Sequence, residues 1–266
     1  MYFDVGLQKM FGRRRKNESL GLPPQSDARC RPKTWGWLAT FGLALVAAVA
    51  SQLPALAEVS WSRAYGFSFA KLQHMTGDGI AVITLVYVST PVQVGLLFWF
   101  ARLRSSSAVE YLALKLPRKR DLPVLLLSAA VLVAASDGLS WFLGKNVVPS
   151  FQHDIYRSAA SAEAQVWLWL AVVIVAPIGE EILFRGFLFR GWQRSSDDAW
   201  VAIGATAVLW AIVHVQYDPL VIGEILMAGL VLGWVRWRTR STISTILLHS
   251  FLNAAGMAET YFQLRG

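Results

Sequence analysis

Apolar residues fall in seven long runs along the chain, at residues 35–57, 80–101, 122–143, 164–189, 199–217, 219–235 and 242–258. Crossing a hydrocarbon core of about 30 Å takes roughly 20 mostly apolar helical residues, and slightly shorter runs suffice inside a bundle. None of the runs alternates with a period of two. Because lipid tolerates only helices or closed barrels, the pattern predicts an all-α, polytopic transmembrane helix bundle of about seven spans. It divides the chain into a basic leader (1–34), three N-terminal helices with their loops (35–158) and a four-helix core (159–266). No internal repeat is evident.

Composition agrees with that pattern. The chain of 266 residues is 55% hydrophobic and only 16% charged, with a mean hydropathy of +0.44. Soluble domains average about 45–50% apolar and about 25% charged, so the composition argues against an ordinary soluble enzyme and against a disordered chain. The net charge of +8 sits in clusters between the apolar runs. That arrangement points to the lipid bilayer as partner and away from nucleic acid. The single cysteine, Cys30, can form neither an intrachain disulfide nor a thiol-based metal site. Most of the 12 tryptophans lie near the ends of the runs, where indoles anchor spans at headgroup level.

Lys and Arg in short loops set orientation. The tail carries Arg13, Arg14, Arg15, Lys16, Arg29, Arg31 and Lys33, and the second loop carries Arg102, Arg104, Lys115, Arg118, Lys119 and Arg120. Arg190 and Arg194 follow the fourth run, and Arg236, Arg238 and Arg240 follow the sixth. With seven crossings all four groups share one side, whereas the opposite loops hold only Arg63 and Lys71, then Lys145 and Arg157. The expectation is an integral protein of a bacterial cytoplasmic (inner) membrane with its N-terminus inside. Ala55-Leu56-Ala57 has the form of a signal-peptidase site, but the basic region and the apolar run before it are both too long for a signal peptide.

Charged or strongly polar groups inside a span are expensive, and each is a functional-site hypothesis. Here they are Asp137, Glu180, Glu181, Arg185, His214, Glu224, His249 and Asn253. Glu181 and Arg185 lie four apart on one helical face and predict an ion pair. Glu180 points about 100° away from Glu181 and is left for chemistry. Pro177 just before it can kink the helix and free a carbonyl. If runs four and five form a hairpin turning at Ser195-Ser196-Asp197-Asp198, Asp197 or Asp198 caps the fifth helix. Glu180 then lies seventeen residues before Asp197 and His214 seventeen after it, which puts both at one depth, roughly 25 Å from the turn. Trp210, four before His214, can pack on the imidazole. His249 and Asn253 share a face of the last span, able to hold a water, donate to a carbonyl oxygen, or join helices. Asp137 and Glu224, towards the outer ends of their spans, read as structural.

Glu180-Glu181-x-x-x-Arg185, Trp210-x-x-x-His214 and His249-x-x-x-Asn253, in this order on successive spans, resemble the CAAX protease and bacteriocin-processing family of intramembrane proteases, which includes the type II CAAX prenyl endopeptidases (Ras-converting enzymes). The resemblance covers roughly residues 160–258. Gly229, Gly233, Thr239 and Ser241 also fit the family's approach to its last motif. Trp210 departs from the phenylalanine usual at the head of the second motif, a change that keeps the aromatic packing. The resemblance implies hydrolysis of a peptide bond in a membrane-associated protein or peptide. Glu180 and His214 would activate the water, His249 and Asn253 would stabilise the oxyanion, and Glu181 and Arg185 would organise the site.

Two histidines and a glutamate also match the ligand set of catalytic zinc, but no HExxH is present. The metal-free reading is preferred; a Zn2+ reading would place Glu180, His214 and His249 around the ion. Two other function classes share these residues. One is a non-catalytic scaffold or bacteriocin-immunity-type protein in which they only join helices, and the other a proton-coupled transporter in which they relay protons.

Overall fold

A computed structural model describes residues 34–54, 78–195 and 198–265. The basic tail, Cys30, the Ala55-Leu56-Ala57 site, Arg63, Lys71 and Asp197 lie outside the described residues. Among the described residues there are helices and no strands. They are α1 (Trp37–Ser51), α2 (Gly79–Arg104), the single turn α3 (Ala108–Tyr111), α4 (Leu122–Phe142), α5 (Ser150–Ser158), α6 (Ala162–Trp192), α7 (Ala199–Ile212), α8 (Pro219–Thr239) and α9 (Thr242–Arg265). Each of the seven apolar runs contributes a helix among the described residues, the run 199–217 only as far as Ile212. The spans Gly79–Arg104, Lys119–Phe142, Ala162–Trp192 and Pro219–Thr239 are long and apolar enough to cross a membrane, while α1 and α7 are shorter apolar helices. The chain is an integral membrane helix bundle.

Side-chain chemistry sets the helix ends. Asp78 caps α2 by accepting from the Ile80 and Ala81 amides, and Asp218 caps α8 through Leu220 and Val221, with Pro219 at the first helical position. Arg240 ends α8 in the left-handed conformation, at φ 57°. The entry to α7 differs from expectation. Asp198 makes no side-chain cap bond to the helix; instead its Oδ2 accepts from the Ser195 amide at 3.0 Å while Ser195 Oγ accepts from the Asp198 amide at 3.2 Å. The two residues thus bond reciprocally in the turn before α7, as the serine and acid of a capping box do.

The fourth span is not a plain kinked helix. Two stretches of α6, Ala171–Val175 and Ile182–Leu188, are π-helical, with one residue more per bonded ring than an α-helix. In the first stretch the Ala176 amide bonds to the Ala171 carbonyl, five residues back. The next bond in that register would come from residue 177, and Pro177 has no N–H to give. The cause of this first irregularity is therefore local, and the Val172 carbonyl is left in need of another donor.

Packing pulls the last four long helices together. Gly229 of α8 lies so close to α7 that a Cβ there would meet the Ala207 Cα and Trp210 Cε3 at 3.1 Å. α9 is pinned at its start, where Thr242 Oγ1 donates to the Leu112 carbonyl at 2.6 Å and Ser241 Oγ to the Lys115 carbonyl. α4 packs on α8 and α9, and a cleft separates it from α2. Rows of exposed apolar residues, such as Leu126, Leu127 and Val131 on α4, face outward as lipid-covered surface must.

Candidate active site

The deepest polar feature lies between α6 and α9. Arg185 Nη1 donates to Glu181 Oε1 at 2.8 Å, and both side chains are fully buried. Arg185 Nη2 donates to the Gly229 carbonyl at 3.1 Å, so the guanidinium also ties α6 to α8. His249 Nδ1 lies 3.0 Å from the same Glu181 oxygen. A carboxylate bonded to an arginine accepts and does not donate, so Nδ1 carries the proton and Nε2 faces away from the pair.

Glu180, one residue earlier, projects elsewhere, as the 100° step requires. Its Oε2 accepts the indole N–H of Trp210 at 2.6 Å and lies 4.0 Å from His214 Nε2. His214 Nδ1 is 2.7 Å from the backbone carbonyl of Trp210, which can only accept, so the neutral ring keeps its proton on Nδ1 and turns a lone pair towards Glu180. The gap of 4.0 Å is too long for a direct hydrogen bond. It suits one water about 2.8 Å from each atom.

Trp210 occupies the centre of the group. Its ring meets His214 edge-on at 5.2 Å between centroids and His249 edge-on at 5.1 Å, and the Arg185 guanidinium lies 4.7 Å from the ring centroid. Asn253 Nδ2 donates to the Val172 carbonyl at 2.8 Å, which supplies the donor that Pro177 cannot. Glu180, Trp210, His214, His249 and Asn253 all border one cavity of about 1340 Å3. Glu181 and Arg185 lie behind its wall.

The placement of His214 corrects its expected setting. The run 199–217 is helical only to Ile212, and His214 stands in the turn that follows. Asp218 and Pro219 begin the next helix, and a residue before proline is held extended, so the chain must leave the helix by then. His214 still lies beside Glu180, from the turn that follows the helix and not from the helix itself.

The three residues of the zinc reading have other partners in this geometry. The Trp210 indole lies against both imidazoles, and His249 spends Nδ1 on the buried Glu181. Among the described residues no three His, Cys, Asp or Glu side chains are grouped to hold a metal ion.

Some wall residues carried little signal in the sequence. Tyr217 stacks on His214 with centroids 6.2 Å apart. Ser136 Oγ donates to Glu224 Oε2 at 2.9 Å, tying α4 to α8. Asp137, Glu224 and Glu259 all border the cavity. A seryl partner on another span leaves no pattern along the chain.

Residues 162–255 match the family model described as type II CAAX prenyl endopeptidase, Rce1-like. Over this segment the chain is similar to that family. The segment contains α6 to α8, most of α9, and Glu180, Glu181, Arg185, Trp210, His214, His249 and Asn253. Two curated bacterial proteins are also similar. An uncharacterized 24.3 kDa protein of Escherichia coli is 30% identical over 90 residues, covering 33% of this chain and 42% of that protein. The UPF0177 protein YxdF of Lactococcus lactis subsp. lactis (strain IL1403) is 27% identical over 96 residues, covering 34% of this chain and 51% of that protein. The chain thus spans about half the length of the curated relatives it matches. No solved structure matches the chain.

Proposed function

We propose that this chain is an intramembrane endopeptidase that hydrolyses a peptide bond of a membrane-associated protein or peptide. The observation that carries the reading is the 4.0 Å gap between Glu180 Oε2 and His214 Nε2 on the wall of a membrane cavity. A water held in that gap gives a proton to the pair as its oxygen attacks the carbonyl carbon. The carbonyl oxygen becomes an oxyanion. Two donors border the cavity to receive it: the second N–H of the Asn253 amide, and His249 Nε2 when that ring is doubly protonated against Glu181. On collapse the C–N bond breaks and the pair returns the proton to the leaving amine.

Glu181 and Arg185 act at one remove, by holding His249. No step of this reading is routed through a metal. The charge pattern of the loops supports a bacterial cytoplasmic membrane with the N-terminus inside.

The test is purified protein in liposomes with membrane peptides of its host, cleavage being read by mass spectrometry at both ends of each product. Wild type should cleave with or without a chelator, and Glu180→Gln should lower the rate by about 10³-fold or more, in line with loss of a catalytic unit, while leaving expression intact. Undiminished cleavage by Glu180→Gln removes the proposed base. Loss of activity to the chelator with recovery on adding zinc restores the metal reading. Uptake or release of a solute with no cleavage product would favour the transporter.

A further inference from the structure

We infer that Trp210 is a positioning residue that sets the Glu180–His214 gap by gripping both members, one with its side chain and one with its main chain; this rests on the peptidase reading above. The indole N–H holds Glu180 Oε2 at 2.6 Å, and the carbonyl of the same residue holds His214 Nδ1 at 2.7 Å. The carbonyl is available because Trp210 lies in the last turn of α7, where main-chain acceptors have no helical donor. One residue therefore fixes which oxygen of Glu180 faces the cavity, which nitrogen of His214 carries the proton, and how far apart the two remain.

The grip is rigid because the indole itself cannot turn. Its residue is 4% exposed. Arg185 lies over its ring, the edges of His214 and His249 close two sides, and Gly229 approaches its Cε3 side without a side chain of its own. Arg185 in turn holds Glu181, which holds His249. Trp210 thus couples the water-activating pair to the group that borders the proposed oxyanion position, and substrate need not touch the indole nitrogen.

Trp210→Phe isolates the point, because it keeps the ring contacts and the main-chain carbonyl and removes only the N–H. A hydrogen bond to a charged group carries enough energy for about a 10- to 100-fold effect. In full-length protein in liposomes, kcat should fall by that factor with KM within about twofold, since the water-activating geometry is disturbed and the cavity shape is not. A kcat equal to wild type overturns the positioning role, and so does a loss that resides wholly in KM.

A second measurement does not depend on cleavage or on the folding of Trp210→Phe. With indole-15N-labelled tryptophan, one N–H resonance should move strongly in Glu180→Ala and stay nearly fixed in Asn253→Ala. If no indole resonance responds to Glu180→Ala, the bond is absent and the inference falls, whatever the activity. A wild-type chain that cleaves nothing refutes the peptidase reading and the kinetic role with it. A cleaving wild type whose kcat is untouched by Trp210→Phe refutes the positioning role alone.

Discussion

Asn253 donates its side-chain amide to the main-chain carbonyl of Val172, 2.8 Å away on the neighbouring helix. The need for that bond is set by a third residue, Pro177, because the π-helical register that joins Ala176 to Ala171 would next join residue 177 to Val172. A carbonyl left open in a membrane bundle costs about 1–3 kcal/mol if nothing answers it. Asn253→Ala should therefore destabilise the protein by about that amount. In a Pro177→Ala background, where an N–H returns to the helix, the same change should cost under about 1 kcal/mol. Unfolding of the four proteins in detergent gives the double-mutant cycle. Equal costs in the two backgrounds would show that proline and amide are not coupled.

Glu181 and Glu180 are adjacent in sequence and opposite in environment. Glu181 is fully buried against Arg185 and His249, whereas the Glu180 side chain keeps 30% of its exposure. Removing one partner of a buried ion pair leaves the other charge uncompensated, at a cost of about 3–5 kcal/mol. Glu181→Gln should lower stability by that order. Glu180→Gln should change it by about 1 kcal/mol or less, because a glutamine oxygen can still accept from Trp210. Thermal unfolding of the two variants side by side decides the matter, and similar losses would contradict the burial pattern.

That contrast also marks how far the sequence could be read. The i,i+4 spacing of Glu181 and Arg185 is a local geometric fact, so their bond was legible, as were the helical runs themselves. The meeting of Glu180 with His214 was legible in outcome and not in route, since the end of α7 at Ile212 depends on Asp218 and Pro219 claiming the next helix. The indole bond of Trp210 left no trace in the pattern; an aromatic residue four before a histidine announces packing, and only the position of α6 against α7 turns its N–H onto Glu180. Asn253 had a readable alternative to chemistry in helix joining, and Pro177 was readable as a break. Their connection through Val172 required the packing of α9 on α6.

The last expectation concerns the close approach that holds Trp210 in place. Gly229 and Gly223 lie on the same helix, α8, but an added Cβ at Gly229 would crowd the Ala207 Cα and the Trp210 ring at 3.1 Å, whereas at Gly223 it would meet nothing within 4 Å. Alanine favours a helix over glycine by up to about 1 kcal/mol, and overpacking a tight contact costs about 1–3 kcal/mol. Gly223→Ala should thus be neutral or slightly stabilising. Gly229→Ala should be destabilising, and because the Gly229 carbonyl also accepts from Arg185 at 3.1 Å, the displacement should reach the guanidinium and the indole together. Its signature is a lowered unfolding temperature joined to a reduced rate of cleavage, with neither change in Gly223→Ala. Two alanine variants of matching stability and rate would show that the contact between α7 and α8 has slack to spare, and that the indole is held by something other than the glycine facing it.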